Sequence, residues 1–155
     1  MAVEVGQEAP DFMLKNHTGD EVTLSSFRGA KNVVLVSYPL AFSGVCTTQF
    51  SEVGPREGRY ADERAQVLGV SVDSFHVQAA FARSLGLDAT MMLADFEPKG
   101  AVARSYGVYR DERGHSARAT FVIDTQGIIQ HAEIPVPLEL PDEGAVMAAL
   151  ATCNN

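Results

Sequence analysis

The segment Asn32-Val-Val-Leu-Val-Ser-Tyr38, followed directly by Pro39-Leu-Ala-Phe-Ser-Gly-Val-Cys46, decides how this chain folds. Residues 32–38 form a β-branched apolar run without clean alternation, which predicts a central strand that is covered on both faces. Pro39 ends the strand because proline lacks the N–H group that a sheet ladder needs. The small residues that follow predict a loop at the carboxyl end of this strand, where open α/β sheets bind their ligands.

Strand and helix signals alternate through the rest of the chain. Before and after the central strand, the first predicted elements are a hairpin with Phe12, Leu14, Val22 and Leu24 around the turn 16–20, a short helix capped by Ser25 and ending near Gly29, and a helical stretch from about Gly44 to Ala61 bent at Pro55 and Gly58. The middle of the chain predicts a strand at Val67–Val72, a helix opened by Asp73-Ser74 and ended by Gly86, a strand at Met91–Leu93 and a helix at Gly100–Tyr106. The last predicted elements are strands at Thr120–Ile123 and Ile128–Glu133 and a helix from Asp142 through Ala151. This order predicts an α/β layer with helices on both faces.

Length and composition predict one ordinary domain over residues 1–155. Hydrophobic residues make up 46% of the chain, which is enough for a core without disulfides or a structural metal. Twelve Lys and Arg residues against twenty Asp and Glu residues give a net charge of −8. This charge does not attract phosphate backbones or anionic lipid, so we expect neither a nucleic acid nor a membrane as partner.

Nothing in the sequence indicates export or membrane insertion. The N-terminus has no basic region followed by an apolar stretch of signal length, and the longest apolar run, 145–151, is too short to span a bilayer. We therefore expect a cytoplasmic protein whose cysteines remain thiols.

Cys46 and Cys153 are the two cysteines of the chain, and neither belongs to a C-x-x-C pair. Two thiols cannot form an all-cysteine zinc site, and the four histidines are scattered without metal-ligand spacing, so we expect no metal. Neither a G-x-G-x-x-G nor a Walker A sequence occurs, and we expect no nucleotide or other cofactor.

Cys46 lies where a helix N-terminus favours a thiolate. If Ser43 is the N-cap residue, Cys46 is the third residue of the helix, where free N–H groups and the helix dipole stabilise an anion. Arg118, at the start of the apolar strand 117–123, is the best candidate for a nearby cation. The alternative is an inert buried thiol, which is the common state of a single cysteine.

With Pro39, Ser43 and Cys46 in the pattern Pro-x-x-x-Thr/Ser-x-x-Cys and Arg118 before Ala-Thr-Phe-Val, the sequence resembles the peroxiredoxins, thiol peroxidases of thioredoxin-like fold. Short segments along nearly the whole chain support the resemblance, and residues 30–46 together with the short C-terminus are most similar to the AhpE-type one-cysteine subgroup. The resemblance implies a central mixed β-sheet flanked by helices on both faces, with an N-terminal β-hairpin.

The resemblance also implies a role for each residue near the thiol. Cys46 is the peroxidatic cysteine, whose thiolate attacks a peroxide oxygen and becomes a sulfenic acid. Arg118 stabilises the thiolate and the departing oxygen, and Ser43 accepts a hydrogen bond from the peroxide. The remaining expectations concern the surroundings: Pro39 packs over the thiolate, the N–H groups of Val45 and Cys46 hold peroxide oxygens, and Tyr38 and Phe42 form an apolar rim unless they are core residues.

Two positions depart from the pattern or leave a question open. Gln49 stands where many relatives have a glutamate that orients arginines near the site. Cys153 is a candidate resolving cysteine, but its surroundings do not resemble the tail of the two-cysteine relatives, and an uninvolved terminal thiol is the alternative.

The resemblance predicts a peroxidase for hydrogen peroxide and organic hydroperoxides. It implies a thiol reductant, such as thioredoxin, a glutaredoxin-like protein or a low-molecular-weight thiol, and a homodimer or larger homo-oligomer. One alternative is a thioredoxin-like redox-sensing, chaperone or binding module with little peroxidase turnover. Another is a Cys-His acyl-transfer enzyme, for which the sequence places no base beside Cys46.

Overall fold

A computed structural model describes residues 2–136 and 138–154; Met1 and Asn155, the ends of the predicted domain, and Pro137 lie outside this part. The strands are β1 (Met13–Asn16), β2 (Glu21–Thr23), β3 (Asn32–Ser37), β4 (Ala65–Ser71), β5 (Met91–Ala94), β6 (Tyr109–Arg110), β7 (His115–Ser116), β8 (Ala119–Ile123) and β9 (Ile129–Glu133). The α-helices are α1 (Gly44–Val53), α2 (Glu57–Asp62), α3 (Phe75–Leu85), α4 (Ala101–Ser105) and α5 (Glu143–Cys153), and single 3₁₀ turns cover Leu24–Phe27 and Gly54–Arg56.

The main sheet has its strands in the order β2-β1-β5-β4-β3-β8-β9. Strand β3 runs parallel to β4 and antiparallel to β8, and β1 and β2 form an antiparallel hairpin. The sheet is therefore mixed and begins with a hairpin, as predicted. Strands β6 and β7 form a separate two-stranded hairpin that the sequence patterns did not predict.

Every residue of β3 is buried, which confirms the prediction of a strand covered on both faces. Successive side chains point to opposite faces. On one face Val33 and Leu35 pack in a cluster with residues of α4, and on the other Val34 and Val36 pack with residues of α1, α2, α3 and α5. This central position makes β3 the support for the loop and helix that follow it.

The predicted caps of α3 and α5 agree with the structure, whereas α5 continues to Cys153, two residues beyond the predicted end. Ser74 caps α3 by accepting from the N–H of Val77, Gly86 ends α3 with φ of 64°, and Asp142 caps α5. The prediction that Ser25 caps the first short helix is wrong. Thr23 precedes the 3₁₀ turn, so Ser25 lies inside the turn, and its N–H donates to the Asp11 carboxylate.

Among residues 2–136 and 138–154, none of the helices is long and apolar enough to cross a membrane. The same residues contain no group of three or more His, Cys, Asp or Glu side chains arranged to hold a metal ion.

Gly69 on β4 lets α1 approach the sheet. A Cβ atom at this position would lie 2.8 Å from the Met92 sulfur and 3.1 Å from a ring carbon of Phe50, which α1 carries one turn after Cys46. We expect Gly69→Ala to lower the free energy of unfolding by about 1–3 kcal/mol, because one side chain is added to a filled core.

Gly58→Ala is the matched control, since a Cβ at this position of α2 meets nothing within 4 Å. Alanine is favoured over glycine in a helix, so this variant should be as stable as the wild type or more stable. Urea unfolding of both variants measures the difference, and equal stabilities would contradict the packing argument.

Candidate active site

Cys46 is the third residue of α1 and lies in its first turn. Ser43 has the extended backbone of an N-cap residue, with φ of −71° and ψ of 157°, as predicted. The side chain of Cys46 is 0% exposed and belongs to the core cluster that includes Phe50. In this conformation the sulfur is shielded from solvent.

Arg118 lies beside the thiol because β8 is paired with β3. Ser37, the last residue of β3, is opposite Ala119, so the residue before β8 comes to the same edge of the sheet as the residues after β3. The Nη2 atom of Arg118 is 3.4 Å from the Cys46 sulfur, and Nη1 is 2.5 Å from Gln49 Oε1. The structure thus brings together residues that are 72 positions apart.

Gln49 is the second partner of Arg118. Its side chain is 7% exposed and lies one turn after Cys46 on α1. The amide oxygen accepts the hydrogen bond that a glutamate would accept at this position, but it carries no charge. Within the described part of the chain, no carboxylate forms an ion pair with Arg118, so its positive charge acts on the thiol without a competing anion.

Ser43 uses its hydroxyl proton inside the loop. Its Oγ donates to the carbonyl oxygen of Leu40 at 2.7 Å and does not cap α1. The lone pairs of the hydroxyl therefore remain available as acceptors. The N–H groups of Val45 and Cys46 have no hydrogen-bond acceptor among residues 2–136 and 138–154, which leaves the first turn of α1 with free donors.

The structure separates the two aromatic residues of the expected rim. Tyr38 is 0% exposed, packs edge-on against Phe50 and donates its hydroxyl to Gln78, so it is a core residue and not a rim residue. Burial raises the pKa of Tyr38 well above its ordinary value, and the phenol stays neutral. Phe42 is 54% exposed with its ring 5.1 Å from that of Phe81, and it does lie at the surface.

Pro39 and Cys153 lie at opposite ends of β3. Pro39 is half-buried and lies two residues after the end of the strand. Cys153 ends α5, and the next residue, Asn154, accepts a hydrogen bond from Asn32, the first residue of β3. The six residues of β3 span roughly 17 Å, whereas a disulfide needs Cα atoms within about 7 Å. Burial also raises the pKa of the Cys153 thiol, which reduces its thiolate fraction.

The histidines have other contacts than the thiol. The hydrogen bond of the Cys46 sulfur within the described residues is to Arg118, while His17 accepts from the N–H of Met92 and His115 contacts the Ser116 carbonyl. The arrangement therefore lacks the imidazole base that a Cys-His acyl-transfer enzyme requires.

Sequence reasoning missed four polar residues that hold the surroundings of the thiol. Ser116 Oγ donates to the Tyr38 carbonyl at 3.0 Å, and Ser71, Asp73 and Gln78 form a hydrogen-bonded group on the other side of the loop after β3. Asp73 precedes the N-cap of α3, so its sequence context pointed only to a helix start.

Residues 5–132 match the AhpC/TSA family, and the chain belongs to it. The chain is 38% identical over 149 residues to Alkyl hydroperoxide reductase E of Mycobacterium tuberculosis, which covers 96% of this chain and 97% of the relative. It is also 34% identical over 137 residues to the chloroplastic 2-Cys peroxiredoxin BAS1 of Spinacia oleracea, with 84% of this chain and 52% of the relative covered.

Solved structures confirm the thioredoxin-like fold that the resemblance implied. The crystal structure of the peroxidoxin BcpB from Mycobacterium tuberculosis superimposes with a TM-score of 0.84 at 31% identity, covering 98% of this chain and 97% of that one. The reduced 2-Cys peroxiredoxin of Plasmodium vivax gives a TM-score of 0.86 at 26% identity, covering 98% and 82% of the two chains.

Replacing Arg118 tests whether the guanidinium acts on the thiol. We expect Arg118→Ala to slow the oxidation of Cys46 by hydrogen peroxide by about 10²- to 10³-fold, because a preorganised charged donor is removed. The chain has no tryptophan, so rapid quenching followed by mass analysis is a suitable measurement. Arg83→Ala, which removes an exposed cation of α3, should leave the rate unchanged. Equal rates for both variants would rule out this role.

Proposed function

We propose that this protein is a thiol-dependent peroxidase that reduces hydrogen peroxide and organic hydroperoxides through Cys46. The 3.4 Å contact between Arg118 Nη2 and the Cys46 sulfur, at the free N–H groups of a helix start, carries the proposal. The names of the relatives, an alkyl hydroperoxide reductase and peroxiredoxins, support the same activity. The alternative of a binding module with little turnover does not explain why a buried thiol has a dedicated cation.

The oxidation step follows from the geometry around the sulfur. The Cys46 thiolate attacks the terminal oxygen of a hydroperoxide, an S–O bond forms and the O–O bond breaks. Sulfur loses two electrons and becomes a sulfenic acid, while the departing hydroxide or alkoxide takes a proton from solvent. Arg118 stabilises the thiolate first and then the charge on the leaving oxygen.

The remaining groups orient the peroxide. Ser43 Oγ, whose proton is donated to Leu40, accepts from the O–H of the peroxide. The N–H groups of Val45 and Cys46 donate to its oxygens. Pro39 covers the thiolate and excludes water, and Phe42 offers an apolar surface for the organic part of a hydroperoxide.

A thiol reductant returns the sulfenic acid to the thiol. The first reductant thiol forms a mixed disulfide with Cys46 and releases water, and a second thiol breaks that disulfide. We infer that the reductant is external, because Cys153 and Cys46 lie at opposite ends of β3. Thioredoxin, a glutaredoxin-like protein and a low-molecular-weight thiol all supply this chemistry without any further cofactor.

We infer a cytoplasmic enzyme that forms a homodimer or larger homo-oligomer, as the family resemblance implies. The net charge of −8 supports the absence of nucleic acid and membrane partners.

Labelling of sulfenic acid tests the function directly. Treatment of the reduced protein with one equivalent of peroxide and a sulfenic acid trap should label Cys46. Cys46→Ser should abolish peroxide consumption, because the hydroxyl is not a nucleophile at its ordinary pKa. Label at another residue, or undiminished turnover in Cys46→Ser, would refute the proposal.

Cys153→Ser separates external from internal resolution. We expect peroxide-treated wild type to form no disulfide between Cys46 and Cys153 by mass analysis, and Cys153→Ser to keep its turnover with an added thiol. A disulfide joining the two residues, within or between chains, would instead establish a two-cysteine cycle.

A further inference from the structure

The loop Pro39–Ser43, which we call the thiol loop, is attached to the rest of the molecule by few hydrogen bonds. Its own bonds join Ser43 to Leu40. Between residues 39–42 and other elements of the described chain there is one hydrogen bond, from the N–H of Ala41 to Asp73 Oδ2 at 2.8 Å. Asp73 is therefore the fixed point against which this loop is held.

The thiol loop needs such a fixed point because its backbone is strained. Phe42 has φ of 66°, in the left-handed region that bulky side chains avoid. A residue held there is strained and persists only when its surroundings determine its conformation. The contacts that do so are the Ala41–Asp73 hydrogen bond and the packing of Phe42 on Phe81.

Asp73 is itself braced by a buried chain of hydrogen bonds. Ser71 Oγ donates to Asp73 Oδ2 at 2.6 Å and accepts from Gln78 Nε2 at 2.9 Å. Gln78 is 0% exposed, its Nε2 also donates to the Leu93 carbonyl at 2.8 Å, and its Oε1 accepts from the Tyr38 hydroxyl. Because burial raises the pKa of Tyr38, this hydroxyl remains a donor throughout the physiological pH range.

The brace of Gln78, Ser71 and Asp73 thus holds the chain on both sides of Pro39. One end binds the side chain of Tyr38, directly before Pro39, and the other binds the backbone of Ala41, two residues after it. In the proposed function, Pro39 covers the thiolate, Phe42 offers an apolar surface to the hydroperoxide and Ser43 accepts a hydrogen bond from it. A shift of about 1 Å in such groups can cost on the order of 10²-fold in rate.

We propose that Asp73 is a positioning residue for peroxide reduction, which holds the thiol loop over Cys46 through the N–H of Ala41. This inference rests on the proposed function. This role differs from a purely structural one because the reaction of Cys46 with peroxide depends on Asp73, whereas the general reactivity of the thiol does not.

Two reactions of Cys46 distinguish these roles. We expect Asp73→Ala to lower the rate of oxidation by hydrogen peroxide by about 10- to 100-fold, since Pro39 and Ser43 are no longer fixed. Alkylation by iodoacetamide, which needs access to the sulfur but no peroxide geometry, should stay equal or become faster. Asp73→Asn should restore oxidation to within about threefold of the wild type, because one amide oxygen accepts from both Ala41 and Ser71.

Glu57→Ala is the matched control for the loss of a carboxylate that holds a loop. Glu57 accepts from the N–H groups of Asp88, Ala89 and Thr90 before β5, at the end of the parallel strands opposite to Cys46. This variant loses comparable hydrogen bonds and should oxidise at the wild-type rate. An equal loss of rate in Glu57→Ala and Asp73→Ala would attribute the effect to general destabilisation and overturn the proposal.

Hydrogen exchange tests the attachment of the loop without any peroxide. In Asp73→Ala the peptide covering residues 39–46 should exchange faster, while the end of α3 near Gly86 keeps its wild-type protection. Unchanged exchange at 39–46, unchanged oxidation, or parallel losses of oxidation and alkylation would each overturn the role of Asp73. A wild type that does not react with peroxide would contradict the proposed function instead, and the exchange result would still decide whether Asp73 holds the loop.

Discussion

The contact between the Arg118 guanidinium and the Cys46 sulfur depends on the antiparallel pairing of β3 with β8. A thiolate in a fully buried position is costly unless a charged donor lies beside it. The pairing of Ser37 with Ala119 places that donor within 3.4 Å of the sulfur, and the hydrogen bond to Gln49 fixes the orientation of the guanidinium plane. A register shift by one residue would turn Arg118 to the other face of the sheet. The pairing of β3 with β8 therefore fixes the position of the Arg118 guanidinium beside the Cys46 sulfur.

The elements near the thiol were predictable from sequence because they are local. The apolar run of β3, the stop at Pro39 and the cap position of Ser43 each depend on neighbouring residues, and the structure agrees with all three. The hairpin of β6 and β7 has two residues in each strand, which is too short for a periodic pattern, and it was missed. It matters for the site because Ser116 of this hairpin holds the Tyr38 carbonyl.

The polar surroundings of the loop were not predictable for a different reason. Gln78 binds Tyr38, which is 40 positions away along the chain, and Asp73 binds Ala41, which is 32 positions away. The sequence places Ser71 in a predicted strand, Asp73 at a predicted helix start and Gln78 inside that helix. The packing of α3 on the sheet then joins the three side chains by hydrogen bonds. Tyr38 shows the same limit: the sequence left rim and core open, and the contact with Gln78 decides for the core.

Cys46 lies near the carboxyl end of β3 and Cys153 near its start, and this placement bears on how the sulfenic acid of the proposed reaction is reduced. A chain with a resolving cysteine converts its own sulfenic acid into a disulfide, whatever the concentration of external thiol. Under the proposed external resolution, the lifetime of the sulfenic acid is set by the supply of reduced thiol relative to peroxide. When peroxide arrives faster than thiol, the next event at the sulfur is a second oxidation to sulfinic acid, which ordinary thiols do not reverse. The range of peroxide concentrations in which the protein stays active thus depends on its redox environment as much as on its active site.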